Sequence, residues 1–88
     1  MPVIKLYASL RKMAGLNETK TSAEVLGAAL TDLVQRHPGL VGAILEIGPV
    51  ITVRPHIIIT INGQLTGDLD TRLAPEDSIA IFPPIAGG

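Results

Sequence analysis

Large aliphatic side chains occupy every second position in two short segments, one near each end of the chain. The aliphatic positions in residues 3–8 and 78–82 are Ile4, Leu6, Ile79 and Ile81. The positions that alternate with them are Lys5, Tyr7, Ala80 and Phe82. A period of two is typical of a strand with one face in a core. We therefore expect two strands that turn the first set inward and the second set outward.

A period of three to four replaces the alternation in the middle of the chain. The apolar stripe consists of Val25, Leu26, Ala29, Leu30, Leu33 and Val34. Before it, Thr21-Ser22-Ala23-Glu24 has the spacing of a capping box, in which the first and fourth side chains each accept a backbone N–H. The pattern predicts one long amphipathic helix that starts at this box and ends before Pro38-Gly39.

Shorter elements are predicted in the remaining intervals. They are a helical turn over Leu10–Ala14 that ends at Gly15, a strand over Glu18–Thr21, a helical turn over Ala43–Leu45, an extended segment over Pro49–Val53 and a buried strand over His56–Ile61. Asn62-Gly63 favours a tight hairpin that continues at Gln64–Thr66.

The order of elements is strand, strand, helix, strands and a last strand. When one helix packs on one face of a mixed sheet, the helix and the sheet each bury their apolar face against the other. The first and last strands are both apolar, so they are natural neighbours at the centre of the sheet. We therefore expect an α+β protein with a β-grasp fold. Its domain would span residues 1–82, and residues 83–88 would form a flexible C-terminal Gly-Gly tail.

Composition narrows the class of protein. The chain has 88 residues, which suits one domain, with 47% hydrophobic residues for a core that must be aliphatic because aromatics make up 2%. Cysteine is absent, which excludes disulfides and thiolate chemistry from these residues. A net charge of −1 argues against nucleic-acid binding. The apolar stretches are too short to span a membrane and no secretory signal is evident, so we expect a cytoplasmic protein.

The last six residues, Pro83-Pro84-Ile85-Ala86-Gly87-Gly88, are unsuited to a sheet. Proline lacks the N–H that a strand needs, and glycine has no side chain to pack. A slim arm of this kind fits threading of the Gly88 carboxylate into a narrow active site of another protein. Adenylation by ATP would convert that carboxylate into a mixed anhydride, which a sulfur or amine nucleophile can attack.

The run from Phe82 to Gly88 resembles the ending of the MoaD/ThiS family of ubiquitin-like sulfur carriers, and most closely that of MoaD, the small subunit of molybdopterin synthase. Further segments resemble MoaD: Tyr7-Ala8-Ser9-Leu10-Arg11, Ile61-Asn62-Gly63 and Leu73-Ala74-Pro75-Glu76-Asp77-Ser78-Ile79. The chain departs from that pattern at Pro75-Glu76, where Asp-Gly is commoner, and at Ile81, where an aromatic often occurs.

This resemblance implies a sulfur carrier. Gly88 would carry a thiocarboxylate, and Pro83, Pro84, Ile85, Ala86 and Gly87 would thread into a MoaE-like large subunit, in an expected heterotetramer, to deliver sulfur to a pyranopterin precursor. A MoeB-like adenylyltransferase of the ubiquitin-activating type would use ATP, and a sulfurtransferase or cysteine desulfurase would supply sulfur. The chain itself would hold no permanent cofactor and no catalytic dyad.

The resemblance also implies a hydrophobic docking face. Tyr7, Leu65 and Phe82 match the apolar contact positions of MoaD-like chains, and interfaces favour aromatic anchors of this kind. The alternative is that these are ordinary half-buried residues of the sheet.

Other candidate groups carry weaker signals. His37 suits a capping or solvated role at a helix end, and His56 has no partners at metal-ligand spacing. The acidic residues Asp68, Asp70, Glu76 and Asp77 suggest a polar loop, with charge recognition by an activating enzyme as the alternative. Arg11 and Arg72 are expected to form surface ion pairs. The glycines form no phosphate-binding fingerprint, so ATP should bind to a partner.

Three other functions stay open. The same activated tail would serve a protein modifier joined to lysines through isopeptide bonds. It would also serve a sulfur carrier for thiamine or for tRNA thiolation, although the double proline and the length argue against the thiamine case. A β-grasp interaction domain with an inert tail, such as an RNA-binding relative, is disfavoured by the charge of −1 and the scarcity of aromatics.

Overall fold

The computed structural model describes residues 1–84. In this part of the chain, one long helix packs on one face of a sheet of short strands. The strands are β1 (Val3–Leu6), β2 (Glu18–Lys20), β3 (Leu45–Glu46), β4 (Thr52–Val53), β5 (Ile58–Ile61), β6 (Gln64–Leu65) and β7 (Ser78–Phe82). The helices are α1 (Ser9–Ala14), α2 (Leu26–Arg36) and a 3₁₀ helix at Pro38–Leu40. None of the helices in this part of the chain is long and apolar enough to cross a membrane.

Five strands form one mixed sheet in the order β2-β1-β7-β5-β6. β1 and β7 are parallel neighbours, with Ile4 opposite Ile79 and Leu6 opposite Ile81. The other neighbouring pairs are antiparallel. The two segments of alternation therefore form the central pair, as predicted. Together with α2 on one face, they confirm the expected β-grasp fold.

The core lies between α2 and the inner face of the sheet. On α2 the buried residues are Leu26, Ala29, Leu30, Leu33 and Val34. On the sheet they are Ile4, Leu6, Ile59, Ile79 and Ile81. Full burial of a Leu or Ile side chain contributes about 1.5–3 kcal/mol, so this aliphatic cluster is the main source of stability. Both predicted periodicities are confirmed by it.

The capping box predicted at residues 21–24 is wrong. The Thr21 hydroxyl oxygen accepts the N–H of Ala23 at 3.1 Å, which forms a local turn, and α2 starts only at Leu26 without a side-chain cap. Leu26 donates its N–H to the backbone carbonyl of Thr71, and Gly27 donates its N–H to that of Leu69. Carbonyls from a distant loop thus satisfy the first helical donors, and a local motif gives no sign of such a contact.

Residues 41–57 depart furthest from the predictions. The helical turn expected at Ala43–Leu45 is wrong: a 3₁₀ helix forms earlier, at Pro38–Leu40, and Leu45 begins β3. β3 pairs with β4 in a separate two-stranded sheet. The buried strand expected over His56–Ile61 is shorter, and within β5 only Ile59 is buried. β-branched residues are spread through this interval without a clear period, so the sequence does not set its strand boundaries.

The predicted Asn62-Gly63 hairpin is confirmed, and it is tied to the start of β7. Both residues have positive φ angles, 52° and 83°, as a tight hairpin turn requires. Asn62 Nδ2 donates to Asp77 Oδ1 at 2.8 Å, and Asn62 Oδ1 accepts the N–H of Ser78 at 2.9 Å. Asp77 Oδ2 accepts the N–H of Ala74 at 2.7 Å. These bonds fix where β7 begins.

Candidate functional site

The candidate site is the rim of the sheet at which the chain leaves β7. Phe82 is the last residue of this strand, and half-buried Pro83 and exposed Pro84 follow it outside the sheet. Proline has no N–H to continue the ladder, which explains why the strand ends here. The other residues with a predicted role in the tail, Ile85, Ala86, Gly87 and Gly88, lie outside the described residues. Their role, and the flexible tail over residues 83–88, stay predictions.

Two of the predicted docking residues, Tyr7 and Phe82, are in contact. Their rings stack with centroids 4.5 Å apart and planes 13° from parallel. The parallel pairing of β1 with β7 produces this contact. Tyr7, directly after β1, donates its N–H to the Ile81 carbonyl at 3.3 Å and so lies beside Phe82. These are the sole Tyr and Phe of the chain. Each ring is half-buried, and the stack places an aromatic surface where the chain exits.

The turn after Tyr7 has an unusual backbone. Ala8 has φ 53° and ψ −130°, a conformation that residues with a Cβ rarely adopt. The turn brings α1 back over the ring of Tyr7, and Leu10 donates its N–H to the Tyr7 carbonyl at 3.2 Å. The sequence gives no sign of such a turn, because residues 7–11 contain neither glycine nor proline.

Arg11 contacts the aromatic pair, which the sequence analysis missed. Its Nε donates to the Leu6 carbonyl at 2.8 Å, and its Cζ lies 5.2 Å from the centroid of the Tyr7 ring. Among the described residues these contacts take the place of the surface ion pair that we expected. The other predicted pair does form: Arg72 lies 3.9 Å from Glu24, with both side chains highly exposed.

Leu65, the third predicted docking residue, lies on the same face but apart from the rings. It belongs to edge strand β6, is 76% exposed, and pairs with Thr60, whose other neighbour is Ala80 of β7. Two strand spacings place it about 10 Å from β7. It is therefore a separate apolar point at the edge of the outer face.

Ile58 extends the aromatic surface along the same rim, from the central strand β7 toward edge strand β6. It lies directly opposite Phe82 in β5 and is 38% exposed. The sequence analysis placed it in a buried strand because Ile57-Ile58-Ile59 shows no alternation. Pairing with β7 settles its direction, since directly opposed residues share a face of the sheet.

Two of the four acidic residues between positions 68 and 77, Asp68 and Asp77, accept backbone N–H groups of their own loops, which fits the polar-loop interpretation for these two. Asp68 Oδ1 accepts the N–H of Asp70 at 2.9 Å. The N–H of Ala74 and, second, the side-chain amide of Asn62 hold the pKa of Asp77 below its ordinary value of 3.8. Asp77 thus stabilises the loop in its ionised form.

The two histidines differ in their surroundings. His56 is exposed in the turn before β5, and His37 caps α2 through its backbone N–H, which donates to the Leu33 carbonyl. Its ring is not solvated as one alternative expected, because Nε2 is buried without a hydrogen-bond partner within residues 1–84. The same residues contain no cluster of three or more His, Asp or Glu that could hold a metal ion.

The chain is similar to known proteins over nearly its full length. The ThiS family model matches residues 4–88. Small archaeal modifier protein 3 of Haloferax volcanii is 30% identical over 91 residues, which cover 97% of this chain and 96% of that protein. Small archaeal modifier protein 1 of the same organism is 32% identical over 87 residues, covering 96% and 97%.

A solved structure gives the same result for the fold. The solution structure of small archaeal modifier protein 1 from Methanosarcina acetivorans is similar to this chain with a TM-score of 0.89 and 34% identity. The match covers 99% of this chain and 95% of that one. The similarity therefore includes the whole domain and is not confined to the motif at the tail.

Proposed function

The chain belongs to the ThiS family of ubiquitin-like small sulfur carriers and modifiers, and we propose on that premise that it is a modifier attached through Gly88 to lysines of other proteins. Full-length similarity to two relatives named small archaeal modifier proteins supports this proposal most directly. The family match runs through residue 88 and so includes Gly87-Gly88. This role ranked second in the sequence analysis, and the names of the relatives favour it.

Attachment requires activation, because a carboxylate is a poor electrophile. An adenylyltransferase of the ubiquitin-activating type binds ATP and joins AMP to the Gly88 carboxylate, with release of pyrophosphate. A lysine amine then attacks the carbonyl carbon, the AMP oxygen leaves, and the amine gives a proton to solvent. The product is an isopeptide bond.

The rim of the sheet suits delivery of such a tail. Phe82 ends β7 and stacks on Tyr7, and the chain continues through two prolines outside the sheet. A partner that docks on the aromatic surface would therefore have the start of the tail beside it. Proline restricts the backbone at this point, so docking would also limit the directions that the tail can take.

A sulfur carrier for molybdopterin synthesis is the second candidate. The Phe82-Pro83-Pro84 run and the aromatic stack favour it, because the resemblance to MoaD rests on the same residues. A sulfur nucleophile at the oxidation level of sulfide would displace AMP and leave a thiocarboxylate on Gly88. A sulfurtransferase or cysteine desulfurase would hold that sulfur as a persulfide, and a thiol would release it at the sulfide level and be oxidised to a disulfide. A MoaE-like large subunit would receive the tail in a heterotetramer.

The step shared by both candidates can be tested with purified components. The intact chain, mixed with the ubiquitin-activating-type adenylyltransferase of its own host, should support exchange of labelled pyrophosphate into ATP. Deletion of Gly88 should abolish the exchange and leave the thermal melting temperature unchanged. Equal exchange by the deleted chain would show that Gly88 is not the activated group.

A conjugation assay separates the two candidates. The last basic residue is Arg72, so trypsin leaves residues 73–88 as a 16-residue branch on any modified lysine. We expect this branch on lysines of host proteins after incubation with ATP. A thiocarboxylate on Gly88 without any such branch would favour the sulfur carrier.

A further inference from the structure

We propose that Arg11 lies at the edge of a docking surface formed by Tyr7, Phe82 and Ile58, and that it binds a carboxylate of the protein that activates the tail. This inference rests on the proposed function and adds the chemistry of the partner's surface. That surface would carry an apolar patch for Tyr7, Phe82 and Ile58, with an Asp or Glu side chain beside it.

The guanidinium of Arg11 is held from two sides although the residue is exposed. Its Nε donates to the Leu6 carbonyl at 2.8 Å, and the Tyr7 ring lies 5.2 Å from its Cζ. Tyr7 is itself stacked on Phe82. A planar cation that is already oriented loses less side-chain entropy on binding than a free one does.

The unused donors point to a carboxylate. A guanidinium has five N–H groups, and one of them is used by the Leu6 carbonyl. The four on the terminal nitrogens make no hydrogen bond to residues 1–84. Two parallel N–H groups match the two oxygens of a carboxylate, so the Arg11 side chain presents a complete fork beside the aromatic surface.

The backbone that positions Arg11 is strained. Ala8, at φ 53° and ψ −130°, makes the turn that returns α1 over Tyr7, and the Arg11 N–H donates to the Ala8 carbonyl at 3.1 Å. Residues with a Cβ rarely adopt such a conformation. Its occurrence next to the aromatic surface is a second, independent feature that associates this segment with function.

The distribution of charge agrees with an acidic partner. Of the seven basic and eight acidic residues, the first 20 positions hold four basic and one acidic. Lys12 follows Arg11 on α1, and Lys5 lies on the outer face of β1 opposite Glu18. Lys5 and Glu18 offset each other, so the positive charge beside Tyr7 comes from Arg11 and Lys12 on α1, and it would steer an acidic surface toward Tyr7.

The alternative is that Arg11 only supports the Tyr7 ring. Arg11→Met keeps an unbranched stem over the ring and removes every donor, whereas Arg11→Glu reverses the charge. Arg72→Met is the matched control, since it makes the same substitution at an exposed arginine that lies beside Glu24, outside the docking surface. Thermal melting of each variant shows whether it is folded.

The experiment is titration calorimetry of the full chain with the host's adenylyltransferase at low and at physiological salt. We expect Arg11→Met to weaken binding about tenfold and to reduce its salt dependence, and Arg11→Glu to weaken it further, toward a hundredfold. Arg72→Met should change affinity by no more than about threefold. The Arg11 Nε–H signal should exchange slowly with solvent in the free chain, and the terminal N–H signals should sharpen only in the complex.

Three results would overturn the inference in distinguishable ways. If Arg11→Met binds within twofold of the unmodified chain while Phe82→Ala binds more weakly, Arg11 only supports the ring and the docking surface stands. If Phe82→Ala and Arg11→Met both bind normally, the docking surface is misplaced and the inference fails with it. An Arg11 Nε–H that exchanges freely in the isolated chain would contradict the oriented fork itself, whatever the function is.

Discussion

Phe82 has two structural roles at one position. Its backbone pairs with Ile58 at the end of the β5–β7 ladder, and its ring stacks on Tyr7. A stacked aromatic pair contributes about 0.5–1.5 kcal/mol beyond the area it buries. The ring therefore stabilises the rim at which the chain leaves the sheet, and its outer side remains half-exposed for a partner.

Replacement of Phe82 with Ala should weaken binding of the activating partner by about 1–3 kcal/mol if the ring is a central anchor. The loss follows from removal of the ring itself and from release of Tyr7, which would no longer be held by the stack. Titration calorimetry measures the affinity, and Leu65→Ala on edge strand β6 is the control, with a smaller expected effect. Unchanged affinity of Phe82→Ala would show that partners dock elsewhere.

The residues of the site differ in how far the sequence predicts them. Alternation along residues 3–8 and 78–82 is enough to turn Tyr7 and Phe82 outward. The direction of Ile58 cannot be predicted from the sequence, because its two neighbours are also isoleucines. It follows only from the register with Phe82. Arg11 reaches the aromatic pair through the turn at Ala8, which no local preference of alanine predicts.

At the scale of elements, α1 is held close to the 3₁₀ helix by a glycine. A Cβ built on Gly39 would lie 2.0 Å from the Met13 carbonyl oxygen. Gly39→Ala must therefore push α1 away, and we expect a loss of about 1–3 kcal/mol in the free energy of unfolding, as for other overpacked sites. Gly67→Ala is the control, because a Cβ there meets open space.

Urea unfolding measures both glycine variants. A Gly39→Ala chain as stable as the unmodified one would mean that α1 and the 3₁₀ helix are less tightly joined than the structure indicates. Because α1 carries Arg11, the same variant should also loosen the Arg11 fork over Tyr7.

The link between the β5–β6 hairpin and β7 should depend on pH. The pKa of Asp77 is lowered from 3.8 by hydrogen bonds to Ala74 and Asn62, so its ionised form is favoured by folding. That contribution is fully present above the unfolded value and is lost as pH falls through the lower folded value. We expect the urea midpoint to fall as pH decreases from about 5 to below 3.8, and Asp77→Asn to reduce this fall.

Asp70→Asn is the matched control for the pH series, because its backbone N–H, and not its carboxylate, takes part in the loop contact with Asp68. Equal pH dependence in the unmodified chain and in Asp77→Asn would contradict a stabilising role for the ionised Asp77.

The elements show where sequence patterns are sufficient. β1, β7 and the inner face of α2 follow directly from their periods, and the Asn62-Gly63 turn follows from its need for positive φ. The start of α2 does not, because its N–H groups are satisfied by carbonyls about 40 residues away in the chain. β3 and β4 pair only with each other. Leu45 is buried in the core and Val53 packs against it, but both strands are too short to show a period in the sequence.

At the scale of the molecule, the core and the proposed docking surface lie on opposite faces of the sheet. α2 and the aliphatic core cover the inner face of the sheet, and the outer face carries Tyr7, Phe82, Ile58 and Leu65. The order of elements and the apolar first and last strands were sufficient to predict this architecture. The choice between a modifier and a sulfur carrier was not predictable, because both need the same activated Gly88.

The most direct test of the central claim is the chemical state of Gly88 in protein purified from its own host, determined by fragmentation of tryptic peptides in a mass spectrometer. Residues 73–88 contain no methionine, so exchange of oxygen for sulfur at the terminus cannot be confused with methionine oxidation. We expect these residues as a branch joined through Gly88 to lysines of other proteins. A plain carboxylate that also resists ATP-dependent activation would contradict the account.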